Sequence, residues 1–199
     1  MSGHHEHEET TMSPYAARIR AIEALLLEKG VLTEPEVQDS IAYMEARSPA
    51  NGARLVARAW VDEGFGELLL SDAKAAARQL GMEPEHPAEF VVVKNTPGVH
   101  NLIVCTLCSC YPRAVLGRPP DWYKSFEYRS RAVREPRAVI REFGFELPDN
   151  VEVVVHDSTA DVRYMVLPMR PPGTEDLSED ELVELVTRDS LVGVSVPQP

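Results

Sequence analysis

The sequence predicts an α+β fold of layered α/β character: a helical N-terminal arm over residues 13–85, then a mixed α/β domain over 86–199, with a short tail at 1–12. Three observations predict it. Apolar residues recur at three- and four-residue spacing through much of the stretch from Pro14 to Leu80. After Pro87, short β-branched runs bounded by Asn95, Pro97 and Gly98 replace that rhythm. Near the end, Ser178 and Glu181 stand at the spacing of a capping box and open a last helix.

Residues 1–12 are polar and acidic and read as a disordered tail; His4, His5 and His7 within it read as a solvated end rather than a metal trap. From Pro14 to Lys29, Ile19, Ile22, Leu25 and Leu26 mark one face of a helix that Gly30 stops. Thr33 and Glu36 form a capping box for a second helix reaching about Arg47, and Ser48-Pro49-Ala50-Asn51-Gly52 breaks it. Helices follow at about 52–62 and 71–80. Such an arm needs a partner for its apolar face. Phe90–Val93 and Leu102–Val104 read as strands, with short helices at about 121–131 and 135–143. Val151, Val153 and Val155 alternate as a strand, and so do Val162, Tyr164 and Val166, with a turn at 158–161 between them. The last helix is expected over about 179–188. One sequence does not assign the strand pairing.

The bulk composition excludes several function classes. Twenty basic residues against 32 acidic ones give a net charge of −12, which disfavours nucleic acid and anionic membrane surfaces. The longest apolar runs, such as Leu68–Leu70 and Val151–Val155, are too short to span a bilayer. The N-terminus lacks the basic-then-apolar pattern of a signal peptide, so a cytoplasmic location is expected. In a reducing compartment the three cysteines are better suited to metal binding or catalysis than to disulfides.

All three, Cys105, Cys108 and Cys110, fall in one short run, Cys-Thr-Leu-Cys-Ser-Cys. Three readings compete. A structural zinc site needs a fourth ligand, which His100 or His156 would have to supply. A redox C-x-x-C pair needs a helix N-terminus and leaves the third cysteine without a role. An open catalytic metal site accounts for the C-x-C end, because two sulfurs separated by one residue lay the backbone of Ser109 and Cys110 under any metal both touch. Two deprotonated amides and three sulfurs make five ligands, a set suited to a trivalent low-spin cobalt or iron ion. An exposed metal-bound thiolate also stands high on the oxidation ladder.

The run V-C-T-L-C-S-C-Y-P, followed by V-L-G-R-P-P-D-W-Y-K, resembles the alpha subunit of cobalt-type nitrile hydratase. The resemblance continues through Y-R-S-R-A-V-R-E-P-R, D-S-T-A-D-V-R-Y-M-V-L-P-M-R-P-P-G-T-E and L-V-T-R-D-S-L-V-G-V, and more weakly through A-R-L-V-A-R-A-W-V-D. It implies sulfur ligation by Cys105, Cys108 and Cys110, and backbone-nitrogen ligation by Ser109 and Cys110. It further implies a sulfinic acid at Cys108, a sulfenic acid at Cys110, and catalysis centred on Cys110 and Ser109. Thr106 stands where cobalt members carry Thr and iron members Ser, so one low-spin cobalt(III) ion per chain is expected, iron(III) being the lesser fit. The implied partner is a β-barrel-containing subunit whose arginines bond the oxidised sulfurs; a metal-delivery chaperone is a further possible partner.

The pattern departs from nitrile hydratases at two places. Arg113 replaces the usual Trp after C-S-C-Y-P, and Val155-His156-Asp157-Ser158 replaces V-W-D-S. Thiocyanate hydrolase, whose gamma subunit is similar, carries Arg after Y-P and has an acidic, His-rich N-terminus. A Trp suits a neutral nitrile, whereas a guanidinium beside the metal ligands draws an anion such as thiocyanate. Nitrile hydration to an amide is the first expectation and thiocyanate hydrolysis to carbonyl sulfide and ammonia the alternative. A non-catalytic zinc module is the competing class. Both reactions begin with water adding to a C≡N bond, by Lewis-acid help from the metal or attack by the Cys110 sulfenate. Tyr111, Asp121, Trp122 and Tyr123 are read as packing. Asp157 and Ser158 are read as a turn or a supporting bond, and His100 and His156 as structural once five ligands are accepted. Arg129, Arg131, Arg134, Arg137 and Arg163 are read as subunit contacts or surface ion pairs.

Overall fold

The computed structural model describes residues 13–84 and 87–199; the expected tail at 1–12 lies outside the described residues. The chain divides into two compact units, one reaching Met44 and one from Glu45 to Pro199.

The first unit holds α1 (Pro14–Glu28) and α2, which runs from Glu34 to Glu45 and ends at the boundary. Ser13 caps α1 by accepting from the Ala16 amide at 3.2 Å, and Pro14 sits where its missing N–H costs nothing. At α2 the Glu36 carboxylate accepts from both the Thr33 amide and the Thr33 hydroxyl, each at 2.8 Å. Tyr15, Ile19, Ile22 and Leu25 are all exposed, so α1 keeps its apolar face open.

The second unit begins well before the boundary expected near residue 85. Its opening helix, α3 (Pro49–Val61), buries Gly52, Ala53, Leu55, Val56 and Ala57 and is a core element rather than part of an arm. Leu55 and Val56 are fully enclosed, each stabilising the fold by about 1.5–3 kcal/mol. At Gly52 a Cβ would meet a Leu191 methyl at 2.8 Å and the Val115 carbonyl oxygen at 3.0 Å, so glycine lets α3 approach both segments closely. The Trp60 indole N–H donates to the Pro168 carbonyl at 2.9 Å.

Where a gap and one helix were expected there are two helices, α4 (Glu63–Ser71) and α5 (Ala73–Gln79). Asp62 and Asp72 cap them by accepting from the Phe65 and Ala75 amides. Then come β1 (Glu89–Lys94) and β2 (Val99–Val104). After them lie α6 (Arg113–Leu116), α7 (Asp121–Lys124), α8 (Phe126–Arg131) and α9 (Pro136–Glu142). The single helix expected at 121–131 is broken at Ser125, whose hydroxyl accepts from the Tyr128 amide and starts α8 afresh. β3 (Glu152–Asp157), β4 (Val162–Leu167), α10 (Glu179–Leu185) and α11 (Arg188–Val192) complete the order. The Ser178–Glu181 box is present with both halves formed. The helix it opens ends early because Thr187 and Ser190 form another box that begins α11.

The sheet pairing is parallel and non-local. β1 pairs with β4 from Glu89↔Val162 to Lys94↔Leu167. β2 pairs with β3 from Val99↔Glu152 to Val104↔Asp157. The turn at 158–161 exists, with Thr159 N–H donating to the Val162 carbonyl, yet the strands it joins belong to different sheets. In a parallel pair both C-terminal ends lie on one side. Val104 and Asp157 therefore finish next to each other, and the cysteine run leaves β2 at that edge. Among the described residues, no helix is long and apolar enough to cross a membrane.

Candidate metal centre

Cys105 is buried at the end of β2, Cys110 is half-buried and Cys108 is exposed. Their three sulfurs lie within 4.8 Å of one another, and they are the sole metal-competent cluster of His, Cys, Asp or Glu among the described residues. Cys105 and Cys108 Sγ are 3.6 Å apart, Cys108 and Cys110 Sγ 3.2 Å. At a metal–sulfur distance of about 2.3 Å, ligands at right angles put sulfurs about 3.3 Å apart and tetrahedral ones about 3.8 Å. The C-x-C pair stands near the right-angle spacing and the C-x-x-C pair nearer the tetrahedral one, so both are within reach of one metal ion.

The loop's amides turn toward the sulfurs. The Cys108 N–H donates to Cys105 Sγ at 3.3 Å, and the Ser109 and Cys110 amides face Cys108 Sγ. As free thiols the pair splits: hydrogen bonding from Cys110 pulls Cys108 below its ordinary value, while burial pushes Cys110 up to about 12. The donor set therefore suits a metal that takes sulfur and backbone nitrogen from one loop.

Neither histidine completes a zinc site. His100 Nε2 sits 2.7 Å from the Gly193 carbonyl and its Nδ1 3.3 Å from Asn95 Nδ2. Because a carbonyl only accepts, Nε2 carries the proton and Nδ1 accepts from the Asn95 amide. Asn95 Oδ1 accepts from the Asn101 amide, and Asn101 Oδ1 accepts from His156 Nε2 at 2.8 Å. Burial holds both imidazoles below the ordinary histidine range. They are structural, as the sequence suggests.

Three groups pin the loop from outside. Asp157 accepts from the Thr106 amide and hydroxyl. Tyr123 donates its hydroxyl to the Cys110 carbonyl at 2.9 Å. Arg129 Nη1 donates to the Leu107 and Cys108 carbonyls at 3.1 and 3.2 Å. Behind them stands an aromatic stack, with Tyr111 and Tyr123 centroids 4.9 Å apart and Trp122 4.9 Å from Tyr128. Burial raises the Tyr111, Tyr123 and Tyr128 hydroxyls well above their ordinary value and keeps them neutral. Asp121 takes no part; it pairs with Lys124 at 2.7 Å on the surface.

The loop opens into a cavity of about 300 Å³ lined by Cys108, Ser109, Cys110, Tyr111, Arg113 and Arg163. A larger opening, about 700 Å³, lies elsewhere, against Trp60, Glu63 and Arg170, and is lined by none of the cysteines. Arg113 lines this mouth, and two of the five arginines read as subunit contacts or surface ion pairs have a place at the loop itself. Arg163 lines the mouth, and Arg129 holds the loop. Arg131 does form surface ion pairs, with Glu135 and Glu142; Arg134 donates to the Ser130 carbonyl, and Arg137 to carbonyls of the 147–151 turn. Both arginines lie in stretches that carry the family resemblance, Arg163 in D-V-R-Y and Arg129 in Y-R-S-R, but neither stretch tells which part of the fold they reach.

The family model for nitrile hydratase, alpha chain, matches residues 13–195. The low-molecular weight cobalt-containing nitrile hydratase subunit alpha of Rhodococcus rhodochrous is 52% identical over 183 residues, 92% of this chain and 88% of that one. The thiocyanate hydrolase subunit gamma of Thiobacillus thioparus is 40% identical over 190 residues, 90% of this chain and 78% of that one. Among solved structures, a double mutant of the Fe-type nitrile hydratase from Comamonas testosteroni Ni1 superposes with a TM-score of 0.82 at 44% identity, covering 94% of this chain and 97% of that one. The cysteine loop, its parallel-strand support and these likenesses agree: the chain belongs to the nitrile hydratase alpha-chain family.

Proposed function

We infer that this chain is the metal-binding, catalytic subunit of a cobalt-type nitrile hydratase, a hydro-lyase that adds water across a C≡N bond to give an amide. The observation that carries this reading is the set of three sulfurs and inward-facing amides on one loop, open to a 300 Å³ cavity. Cys105, Cys108 and Cys110 bind through sulfur, and Ser109 and Cys110 through backbone nitrogen, one low-spin cobalt(III) ion per chain. The bound metal supplies a Lewis acid for the triple bond.

The chain's own groups do the rest. Asp157 and Tyr123 hold the loop, and the Tyr111–Tyr123 wall backs it with buried, neutral rings. Cys108 carries the sulfinic and Cys110 the sulfenic acid, whose oxygens present polar groups to substrate. A β-barrel-containing partner closes the mouth and contributes arginines to those oxygens; Leu107 at the loop tip is 87% exposed and Phe126 73% exposed, which supports a covering chain. The arm, α1 and α2, offers its apolar face to the same partner. The heteromer works in the cytoplasm, and a chaperone delivers the metal.

A second reading rests on Arg113 and Arg163, two guanidiniums at a mouth that, among the described residues, no carboxylate lines. It makes the chain a gamma-type subunit of a thiocyanate hydrolase. The deciding experiment co-purifies the chain with its partner and assays acetonitrile, an aromatic nitrile and thiocyanate side by side. Amide from the nitriles supports hydratase activity, preference for the anion supports the second reading, and no turnover of any of them removes both.

A further inference from the structure

We propose that Arg129 is the positioning residue that aims the Ser109 backbone nitrogen of the cysteine loop at the metal; this rests on the metal-centre reading above. The argument is covalent geometry. In a trans peptide the C=O and the following N–H point in opposite directions across a rigid plane. Arg129 Nη1 draws the Leu107 and Cys108 carbonyls to one side of the loop. The amides of Cys108 and Ser109 must then face the other side. They do: Cys108 N–H donates to Cys105 Sγ, and the Ser109 amide faces Cys108 Sγ. The peptide whose carbonyl Arg129 holds at 3.2 Å is the one whose nitrogen belongs to Ser109.

The side chain is committed to this task. Its hydrogen bonds among the described residues both go to the loop, and its Nε is buried without an acceptor. It makes no ion pair among them despite an excess of acidic residues in the chain. A single guanidinium spanning two successive carbonyls removes the rotational freedom of two peptide planes at once. It also places a fixed positive charge against the loop that carries the three sulfur atoms.

The test loads the full chain, co-purified with its partner, with cobalt(II) chloride under air. Cobalt per chain is measured by mass spectrometry, the thiolate-to-cobalt band by absorption, and the fold of the metal-free complex by circular dichroism. Arg129→Met is expected to bind cobalt about tenfold more weakly while the metal-free complex melts as the unmodified one does, because a bond to a charged group is lost without emptying the core. Arg129→Lys is expected to recover part of the loading, having the charge and donors on a head group that is not held in a plane. Wild-type loading and an unchanged band in Arg129→Met overturn the proposal, as does a loss of loading that only follows loss of folded chain. Should the Met variant fail to fold, a folded Arg129→Gln variant with wild-type loading overturns it, and one with reduced loading supports it. If the unmodified complex takes up no cobalt, the metal-centre reading itself has failed.

Discussion

Asp157 holds Thr106 by two bonds, Oδ1 accepting from the amide at 2.9 Å and Oδ2 from the hydroxyl at 2.5 Å. The pair ties the last residue of β3 to the first residue past Cys105, so the register of one parallel ladder sets the start of the cysteine loop. Removing the carboxylate leaves an amide to water. Asp157→Ala is expected to cost about 1 kcal/mol, the bonds being solvent-accessible, and to lower cobalt content more than that loss of stability explains. Denaturant titration alongside metal analysis checks both.

Thr106→Ser keeps both bonds to Asp157 and loses one methyl. Stability is expected to change by no more than about 0.5 kcal/mol. Growth with cobalt and iron supplied together, followed by metal analysis, tests whether the hydroxyl residue governs metal choice: a shift toward iron is the expected result.

His100 gives the fold a pH dependence of definite sign. Burial holds its pKa below the ordinary 6.5, so the folded chain keeps it neutral where the unfolded chain protonates it. Its contribution is complete above pH 6.5 and declines as pH falls below that value toward the folded pKa. Protonation places a second N–H against Asn95 Nδ2, which is itself a donor. The charged Arg137 also disfavours the imidazolium. The difference in melting temperature between the chain and His100→Asn is expected to be largest above pH 6.5 and to shrink below it.

Gly193 allows the C-terminal segment to dock. Its φ is +91°, and a Cβ there would fall 2.0 Å from the Asn101 carbonyl oxygen on β2. Gly193→Ala is expected to cost about 3 kcal/mol or more, from backbone strain together with displacement of a buried strand. A drop in the unfolding midpoint of that size is the readout.

Local signals in the sequence led to correct structure, and non-local ones did not. Thr33 and Ser178 each bond a glutamate three residues on, Glu36 and Glu181, so their helices were legible. Thr187 was missed because Ser190, rather than Glu or Gln, completes its box. The helical start after Asp62 was missed because no apolar rhythm marks it across Gly64 and Gly66. The parallel pairing of β1 with β4 joins segments far apart in the chain and has no local signature. The clustering of the three sulfurs was legible because six consecutive residues hold them. Arg129 was not, since the carbonyls it binds lie 21 and 22 residues away.

The central claim is that this loop grips its metal with main-chain nitrogen beside sulfur. A crystal structure of the cobalt-loaded heteromer tests it most directly. The account predicts an ion bonded to the sulfurs of Cys105, Cys108 and Cys110 and to the nitrogens of Ser109 and Cys110, with one position left for substrate. A tetrahedral ion held by thiols and an imidazole, with both nitrogens out of bonding range, would contradict it.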